Sequence, residues 1–251
     1  MGGRRASYAV GRYSGTGHRL ANEDGAEYEI LDGSAVFAVA DGLGAHEGGD
    51  AAARVAVQGV LRRFSALAFS ERIDSLDSLT GAGHEAVRRC QAATGIETMR
   101  TTLAVLVLEG TSARWGHIGD TRIHHFRRGR LRAKSLDHSV PQLLVQAGEI
   151  DPSQIRDHPD RNKLRQALGQ PEAPVPSLSE VITLEDGDAF LLCSDGWWEP
   201  VVEEEMEASL VGVAAPQEWL ERMAALIKKR ADPAQDNYTA VAAWVGLDVT
   251  P

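Results

Sequence analysis

Cysteine is nearly absent from the 251 residues: Cys90 and Cys193 are the only two. Two thiols so far apart make no disulfide framework, so the fold must rest on a hydrophobic core, and a reducing cytoplasm is the expected setting. Cys193 lies in the apolar run 190–193 and reads as a buried small hydrophobe. Long hydrophobic runs are missing too. The longest, 35–40 and 103–108, are strand length, far short of the roughly 20 residues that cross a bilayer, so no membrane partner is expected. The opening MGGRRASYAV lacks the apolar stretch of a secretory leader and has Ala6 where a myristoylation pattern needs a hydroxyl. Positive charge is in deficit, with 26 Lys and Arg against 36 Asp and Glu, a net charge of −10. That balance excludes a general nucleic-acid binder. No GxxxxGK[ST] string occurs, which excludes a P-loop nucleotide hydrolase. What is present is ordinary for a globular chain: 43% hydrophobic and 25% charged residues, with no repeat or composition break, so one domain over 1–251 is expected.

The coarse pattern alternates strands with amphipathic helices. Residues 35–40 read as a buried strand ending at Asp41-Gly42. Ala52, Ala56, Val60, Phe64 and Leu67 then form a helical stripe opposite Arg54, Gln58 and Arg62. A weaker helical period covers 84–94. Strands are expected at 101–108, 113–118, 122–126 and 130–135, joined by Glu109-Gly110 and Arg128-Gly129 as one antiparallel meander. From 137 to 176 the chain turns polar and proline-rich. Short helices fit at 141–146 and 161–168 within this surface excursion, which has the length of a functional lid. Strand patterns return at 180–184 and 189–194, the second running into Asp195-Gly196. Residues 216–230 form an amphipathic helix, acidic early and basic late, as the helix dipole favours. A last strand covers 238–245. The fold class is α+β, with sheet packed on sheet and helices outside.

Several apolar strands begin or end at an aspartate: Asp41, Asp120, Asp195 and Asp236, with Glu23-Asp24 near the start. A carboxylate at the rim of a core is costly unless it is paired or binds a cation. A cluster of such oxygens suits Mg²⁺ or Mn²⁺. Taken singly, each aspartate is equally a turn residue beside glycine. Other polar features read as structural. The bases from Arg122 to Lys134 suit a solvated hairpin with alternating charges, His124-His125 lack the neighbours of a zinc site, and Glu203, Glu204, Glu205 and Glu207 suit a solvated helix face. Of Trp197 and Trp198, one ring is expected in the core and the other beside the aspartates.

Eight strings, in order, resolve the choice: GTGHRLANED (15–24), DGLGAHEGGDAAA (41–53), MRTTLAVLVL (99–108), HIGDTRIHHFRRGRL (117–131), DHSVPQLLVQAGEI (137–150), HPDRNKLRQALG (158–169), LLCSDGWWE (191–199) and DNYTAVAAWV (236–245). In this series the sequence resembles the bacterial metal-dependent protein phosphatases, the type 2C serine/threonine family. DGWWE and HPDRN are most similar to members associated with type VI secretion. The resemblance implies a four-layer αββα sandwich of two antiparallel sheets, with a centre of two Mn²⁺ or Mg²⁺ ions at one end. Asp41 would bridge the ions, the Gly42 carbonyl would complete one shell, and Asp195 and Asp236 would hold the other ion. Glu23 would act through bound water with Asp24 as a neighbouring support, Asp120 would help hold a third ion, and Arg19 would grip the substrate phosphate. A hydroxide held between the ions would attack phosphorus in line with the departing serine or threonine oxygen.

The partners implied are a phosphoserine or phosphothreonine protein and the kinase that made it, with residues 137–176 as a flap whose arginines and His158 either contact the phosphoprotein or are purely structural. This chain has Leu43 where animal relatives often carry a histidine, which leaves the leaving-group acid unassigned between a metal-bound water and His46. Thr121 stands where serine is usual and keeps the hydroxyl. Two rival readings remain: a phosphatase-like binding module without turnover, and a hydrolase of small phosphate esters.

Overall fold

The computed structural model describes residues 5–43, 48–230 and 232–248. Strand β3 (Ser34–Asp41) is buried along nearly its whole length because its alternate residues meet two different layers. Val36, Ala38 and Ala40 pack under helices α1 (Gly49–Ser65) and α2 (Leu76–Thr94). Ala35, Phe37 and Val39 face Phe190, Leu192, Val241 and Ala243 of a second sheet. That sheet buries its other face, Leu191, Cys193, Ala240 and Ala242, against Trp219, Leu220 and Met223 of the long C-terminal helix, Pro216–Arg230. The result is the expected sandwich of two antiparallel sheets between helices, which explains the unbroken apolar runs in the sequence.

One sheet is ordered β2-β3-β4-β5-β8, built from β2 (Asp24–Leu31), β3, β4 (Leu103–Glu109), β5 (Ser112–Ile118) and β8 (Ser177–Leu178). The short β9 (Ile182–Thr183) also pairs with β5. The other is β1-β11-β10-β6-β7, from β1 (Arg5–Gly15), β6 (Arg122–Arg127), β7 (Arg130–Lys134), β10 (Ala189–Cys193) and β11 (Tyr238–Asp248). The expected four-strand meander is therefore broken. β4 and β5 pair in one sheet, β6 and β7 in the other, and the chain crosses between sheets at residues 119–121. Gly119 makes that crossing with φ +93°, where a Cβ would sit 2.6 Å from the Thr102 methyl.

Three further expectations change. α2 begins at Leu76, earlier than its weak periodicity suggested, because Leu76 and Leu79 are core residues beneath α1. No helix forms at 161–168. There Leu168 exchanges backbone hydrogen bonds with Thr101, and Leu164 bridges Ser139, so tertiary pairing overrides local propensity. The helix at 141–146 does form, as α3 (Val140–Gln146), with the Ser139 side chain accepting a hydrogen bond from the Gln142 N–H. Two short helices follow β10: α4 (Asp195–Trp198) and α5 (Glu203–Leu210); the C-terminal helix is α6. Among the described residues no helix is long and apolar enough to cross a membrane.

Candidate metal centre

Antiparallel pairing sends the start of β2, the end of β3, the end of β5, the start of β6, the end of β10 and the start of β11 to one end of the sandwich. Register makes this concrete: Asp24 pairs with Asp41, and Cys193, just before Asp195, pairs with both Arg122 and Ala240. Asp120 lies in the crossing between sheets, and Asp236 precedes β11 by two residues. Aspartates far apart in sequence thus meet across the sheet ends.

Their electrostatics show how closely. Burial, then Asp195, Asp24, Asp120 and Asp236, hold the Asp41 carboxyl well above the usual carboxylate range. Burial, then Asp195 and Asp137, do the same to Asp120. Asp24 is pushed up to about 7 by burial, against opposing hydrogen bonds from Thr239 and Ser194 and with added repulsion from Asp195 and Asp236. Asp195 reaches about 6 through burial and Asp236, eased by a side-chain hydrogen bond with Asp41. Glu23 is raised by burial, Asp50 and Asp236, with Arg19 opposing. Buried carboxylates that repel one another are unfavourable without a compensating cation.

The backbone around them is tightly fixed. Asp41 N–H donates to Thr102 Oγ1 at 2.9 Å, and the Asp41 carbonyl accepts from Thr101 Oγ1 at 2.8 Å. Thr102 Oγ1 in turn shares a hydrogen bond with Thr121 Oγ1, so the hydroxyl kept at position 121 supports the Asp41 loop. Ser194 Oγ donates to Asp24 Oδ2 at 2.9 Å. Gly42 N–H donates to the Glu23 carbonyl at 3.1 Å, and a Cβ on Gly42 would fall 2.4 Å from the Gly49 carbonyl oxygen. Only glycine permits that approach of three chain segments.

The donor set fits a hard divalent cation. Asp24 Oδ1 and Asp195 Oδ1 are buried with no hydrogen-bond partner, which native folds rarely tolerate unless something else satisfies them. Carboxylate oxygens of this kind suit Mg²⁺ and Mn²⁺. Among the described residues no three His, Cys, Asp or Glu side chains close around a point by themselves. An ion here would therefore complete its shell with water and backbone oxygen, as Mg²⁺ commonly does.

Arg19 stands at the rim, its side chain 54% exposed, with its Nη2 2.6 Å from Asp236 Oδ2. Both segments that meet there are held by Asn237, a residue to which sequence reasoning gave no role. Its Oδ1 accepts from Glu23 N–H at 2.8 Å, and its Nδ2 donates to the carbonyls of Thr16 and Ala21 at 2.8 and 2.9 Å. Asn237 is 5% exposed and clamps both ends of the loop that carries Arg19. A buried amide directly after a candidate ligand was the available signal.

The flap packs inward. Arg161 Nε donates to Glu199 Oε1 at 2.8 Å, and Arg156 Nη2 to Glu203 Oε2 at 2.7 Å. These two arginines hold the flap to the body, the structural one of the two roles open to them. His158 Nδ1 accepts from Asp160 N–H within the flap itself. Both tryptophans are buried, and Trp198 also borders the aspartates, its Nε1 donating to the Asp120 carbonyl at 2.9 Å. Arg122 lies over the Trp198 ring at 3.4 Å and makes a two-pronged pair with Asp137 at 2.8 and 2.7 Å. The basic hairpin and acidic helix remain solvated, as expected, and are also tied down by ion pairs. Glu203 takes Lys134 and Arg156, Glu207 takes Arg130, and Arg127 is held by Asp188 and Glu185. His46 lies outside the described residues. Cys193 is fully buried, and burial pushes its thiol up, as expected of an inert small hydrophobe.

A model of the protein phosphatase 2C family matches residues 14–240. The chain belongs to the protein phosphatase 2C family. It is 30% identical over 229 residues to the serine/threonine protein phosphatase PstP of Mycobacterium tuberculosis, covering 90% of this chain and 43% of that protein. The chain thus spans less than half the length of that curated relative. Among solved structures, the catalytic domain of a PstP in complex with two manganese ions superposes with a TM-score of 0.81 at 27% identity, over 96% of this chain and 99% of that one. PppA, described as a key regulatory component of the type VI secretion system in Pseudomonas aeruginosa, superposes with a TM-score of 0.77 at 30% identity, over 96% and 98% of the two chains.

Proposed function

We propose that this chain is a metal-dependent serine/threonine phosphoprotein phosphatase acting in the cytoplasm, with Mn²⁺ or Mg²⁺ as its ions. The observation that carries the reading is the convergence of Asp24, Asp41, Asp120, Asp195 and Asp236 at one sandwich end, where burial and mutual repulsion raise the first four and Asp24 Oδ1 and Asp195 Oδ1 have no hydrogen-bond partner. In this reading Asp41, Asp195 and Asp236, with the Gly42 carbonyl, would hold two ions, and Asp120 would contribute to a third. Glu23 reaches them through water, and Asp24, fixed by Ser194, braces Asp41 across the strand pair. Bound divalent cations supply Lewis acidity, lowering the pKa of water and offsetting the charge of a phosphomonoester dianion.

The chain's own residues do the rest. The Arg19 guanidinium is a planar fork able to grip two phosphate oxygens at once, and it already sits against the carboxylate cluster at Asp236. Asn237 keeps that loop in register with Glu23. The flap, pinned through Arg156 and Arg161, screens the side of α4 that carries Asp195. A phosphomonoester on serine or threonine must come from a kinase, so the chain reverses a serine/threonine kinase. A binding module without turnover would not require the ligand positions to stay intact, and all of them carry oxygen donors. The likeness to the Pseudomonas PppA favours no particular pathway, since likeness to PstP is comparable.

The test is hydrolysis of a phosphothreonine peptide with Mn²⁺, with EDTA, and in Asp195→Ala. Turnover should require Mn²⁺ and vanish in the variant. Tight Mn²⁺ binding with no turnover of peptide or aryl phosphate would overturn the assignment.

A further inference from the structure

A second concavity opens directly beside the Arg19 loop. It is about 320 Å³, walled on one side by residues 16–18 and on the other by the last turn of α6, with Tyr238 and Asp232 closing it. It shares its wall with the candidate centre: His18 N–H donates to the Gln235 carbonyl at 2.9 Å, and Gln235 adjoins Asp236. A side chain placed here would therefore belong to the same bound polypeptide as a phosphate held by Arg19. The volume is at the low end for a ligand pocket and suits one side chain rather than a cofactor.

Its charge is distinctive. Most cations around the body are spent on carboxylates, as with Arg122, Arg127, Arg130, Lys134, Arg156 and Arg161. Lys228, which lines the pocket, is among those that are not. Its Nζ lies 5.4 Å from the Tyr13 ring centroid, and Tyr13 is itself stacked on Tyr238 at 5.9 Å. Stacked aromatic rings thus hold this ammonium at the pocket mouth. No carboxylate of the described residues pairs with it. The pocket's own acid, Asp232, turns its Oδ1 to the Ala234 N–H at 2.7 Å. Lys228 is thus the pocket's unpaired cation, on a chain of net charge −10 and beside the loop whose Arg19 is held by Asp236. At the tip of the same loop Leu20 is fully exposed.

Resting on the phosphatase reading above, we infer that this pocket is a substrate subsite that takes an acidic side chain flanking the phosphorylated residue, with Lys228 as its specificity-determining charge. The cluster of aspartates would repel acidic peptides; the Lys228 ammonium offsets that repulsion at this pocket.

The experiment compares kcat and KM for phosphothreonine peptides bearing Asp or Lys at each of the two flanking positions on either side, alongside p-nitrophenyl phosphate, with Mn²⁺ present. Wild type, Lys228→Gln and Lys228→Glu are measured, and matching melting temperatures confirm that the variants are folded. For the wild type we expect a preference of about three- to fivefold in KM for Asp at one flank, the scale of an exposed ion pair. That preference should disappear in K228Q and reverse in K228E, with p-nitrophenyl phosphate turnover unchanged. A wild type indifferent to the flank, or a preference that survives in K228E, overturns the subsite while leaving the phosphatase reading intact. Failure of wild type to hydrolyse any of these substrates overturns the phosphatase reading, and the subsite with it.

Discussion

Asn237→Ala is the most informative single change, because it separates the role of the fold from that of the charges. The amide makes three hydrogen bonds, to Glu23 N–H and to the carbonyls of Thr16 and Ala21, at 2.8 to 2.9 Å. Each is worth about 1 kcal/mol net, and a buried group left unpaired loses more. The loop lies at the surface, so water recovers part of the loss at the two carbonyls. The expected destabilisation is about 2–3 kcal/mol, read as a lower urea midpoint with an unchanged slope. The effect on catalysis should pass through Arg19. A charge-assisted hydrogen bond is worth roughly 1.5–3 kcal/mol, so misplacing the guanidinium should lower kcat/KM about 10- to 100-fold. Arg19→Ala should lose a similar amount. The double variant should lose little beyond Arg19→Ala alone, since the two residues act as one unit. Mn²⁺ affinity should move far less than kcat/KM. Additive losses in the double variant, or a collapse of Mn²⁺ binding with kcat/KM otherwise intact, would refute this coupling and place Asn237 with the metal ligands instead.

Two further changes probe the frame behind the site. Asp137→Ala removes the partner of a guanidinium that is 5% exposed at the side chain. Breaking a buried pair costs about 3–5 kcal/mol, and the value should fall at the lower end because Glu203 stays at 3.9 Å and the Trp198 face remains; a urea-measured loss below about 1 kcal/mol would show that Arg122 rehydrates freely. Asp188 answers to pH. Burial would raise its carboxyl, but the Arg127 hydrogen bonds, with His125 Nε2 nearby at 3.2 Å, bring it down to about 2. A depressed carboxylate contributes stability that is present above its unfolded pKa, near 3.8, and lost as pH falls through about 2. Asp188→Asn should therefore flatten the fall in melting temperature across that window, and an unchanged acid limb would remove Asp188 from its cause.

Much of the architecture was legible because β3, β4 and β10 carry continuous apolar runs, the signature of strands buried on both faces. The aspartates at their ends were legible as a set, though chemistry alone left each as a turn residue until the ordered strings brought them together. What stayed hidden is long-range. Whether β5 and β6 share a sheet depends on the turn at Gly119, and local pattern cannot distinguish a hairpin from a crossing. The stretch 161–168 has helical composition, yet its backbone hydrogen bonds go to Thr101 and to residues near Ser139. The ion pairs made by the acidic run on α5 were not legible, because its partners on β7 and the flap lie many residues away. Asn237 was in plain view, but its value is a matter of three backbone groups that only folding assembles.

The carboxylate cluster sets stability against function, and that opposition is measurable. Asp195 is half-buried, has a buried unpartnered oxygen and is crowded by Asp236, with relief from Asp41, the Gly196 N–H and Arg161. Without cations, replacing it by asparagine removes a buried charge, keeps the shape and adds a donor toward Asp41. Asp195→Asn should therefore melt at a higher temperature than wild type in EDTA. Adding Mn²⁺ should reverse the order. Binding to the native state alone stabilises it by about 2.7 kcal/mol at a hundredfold excess over Kd, and the variant forfeits most of that gain. Differential scanning fluorimetry in EDTA and across a Mn²⁺ titration reads both arms. If Asp195→Asn melts lower in EDTA, Asp195 stabilises the metal-free fold and the cluster is not strained by its own charge. If it melts higher and responds to Mn²⁺ as wild type does, Asp195 is no ligand. A crossing of the two curves is the result that ties the cost of burying these carboxylates to the ions they are arranged to hold.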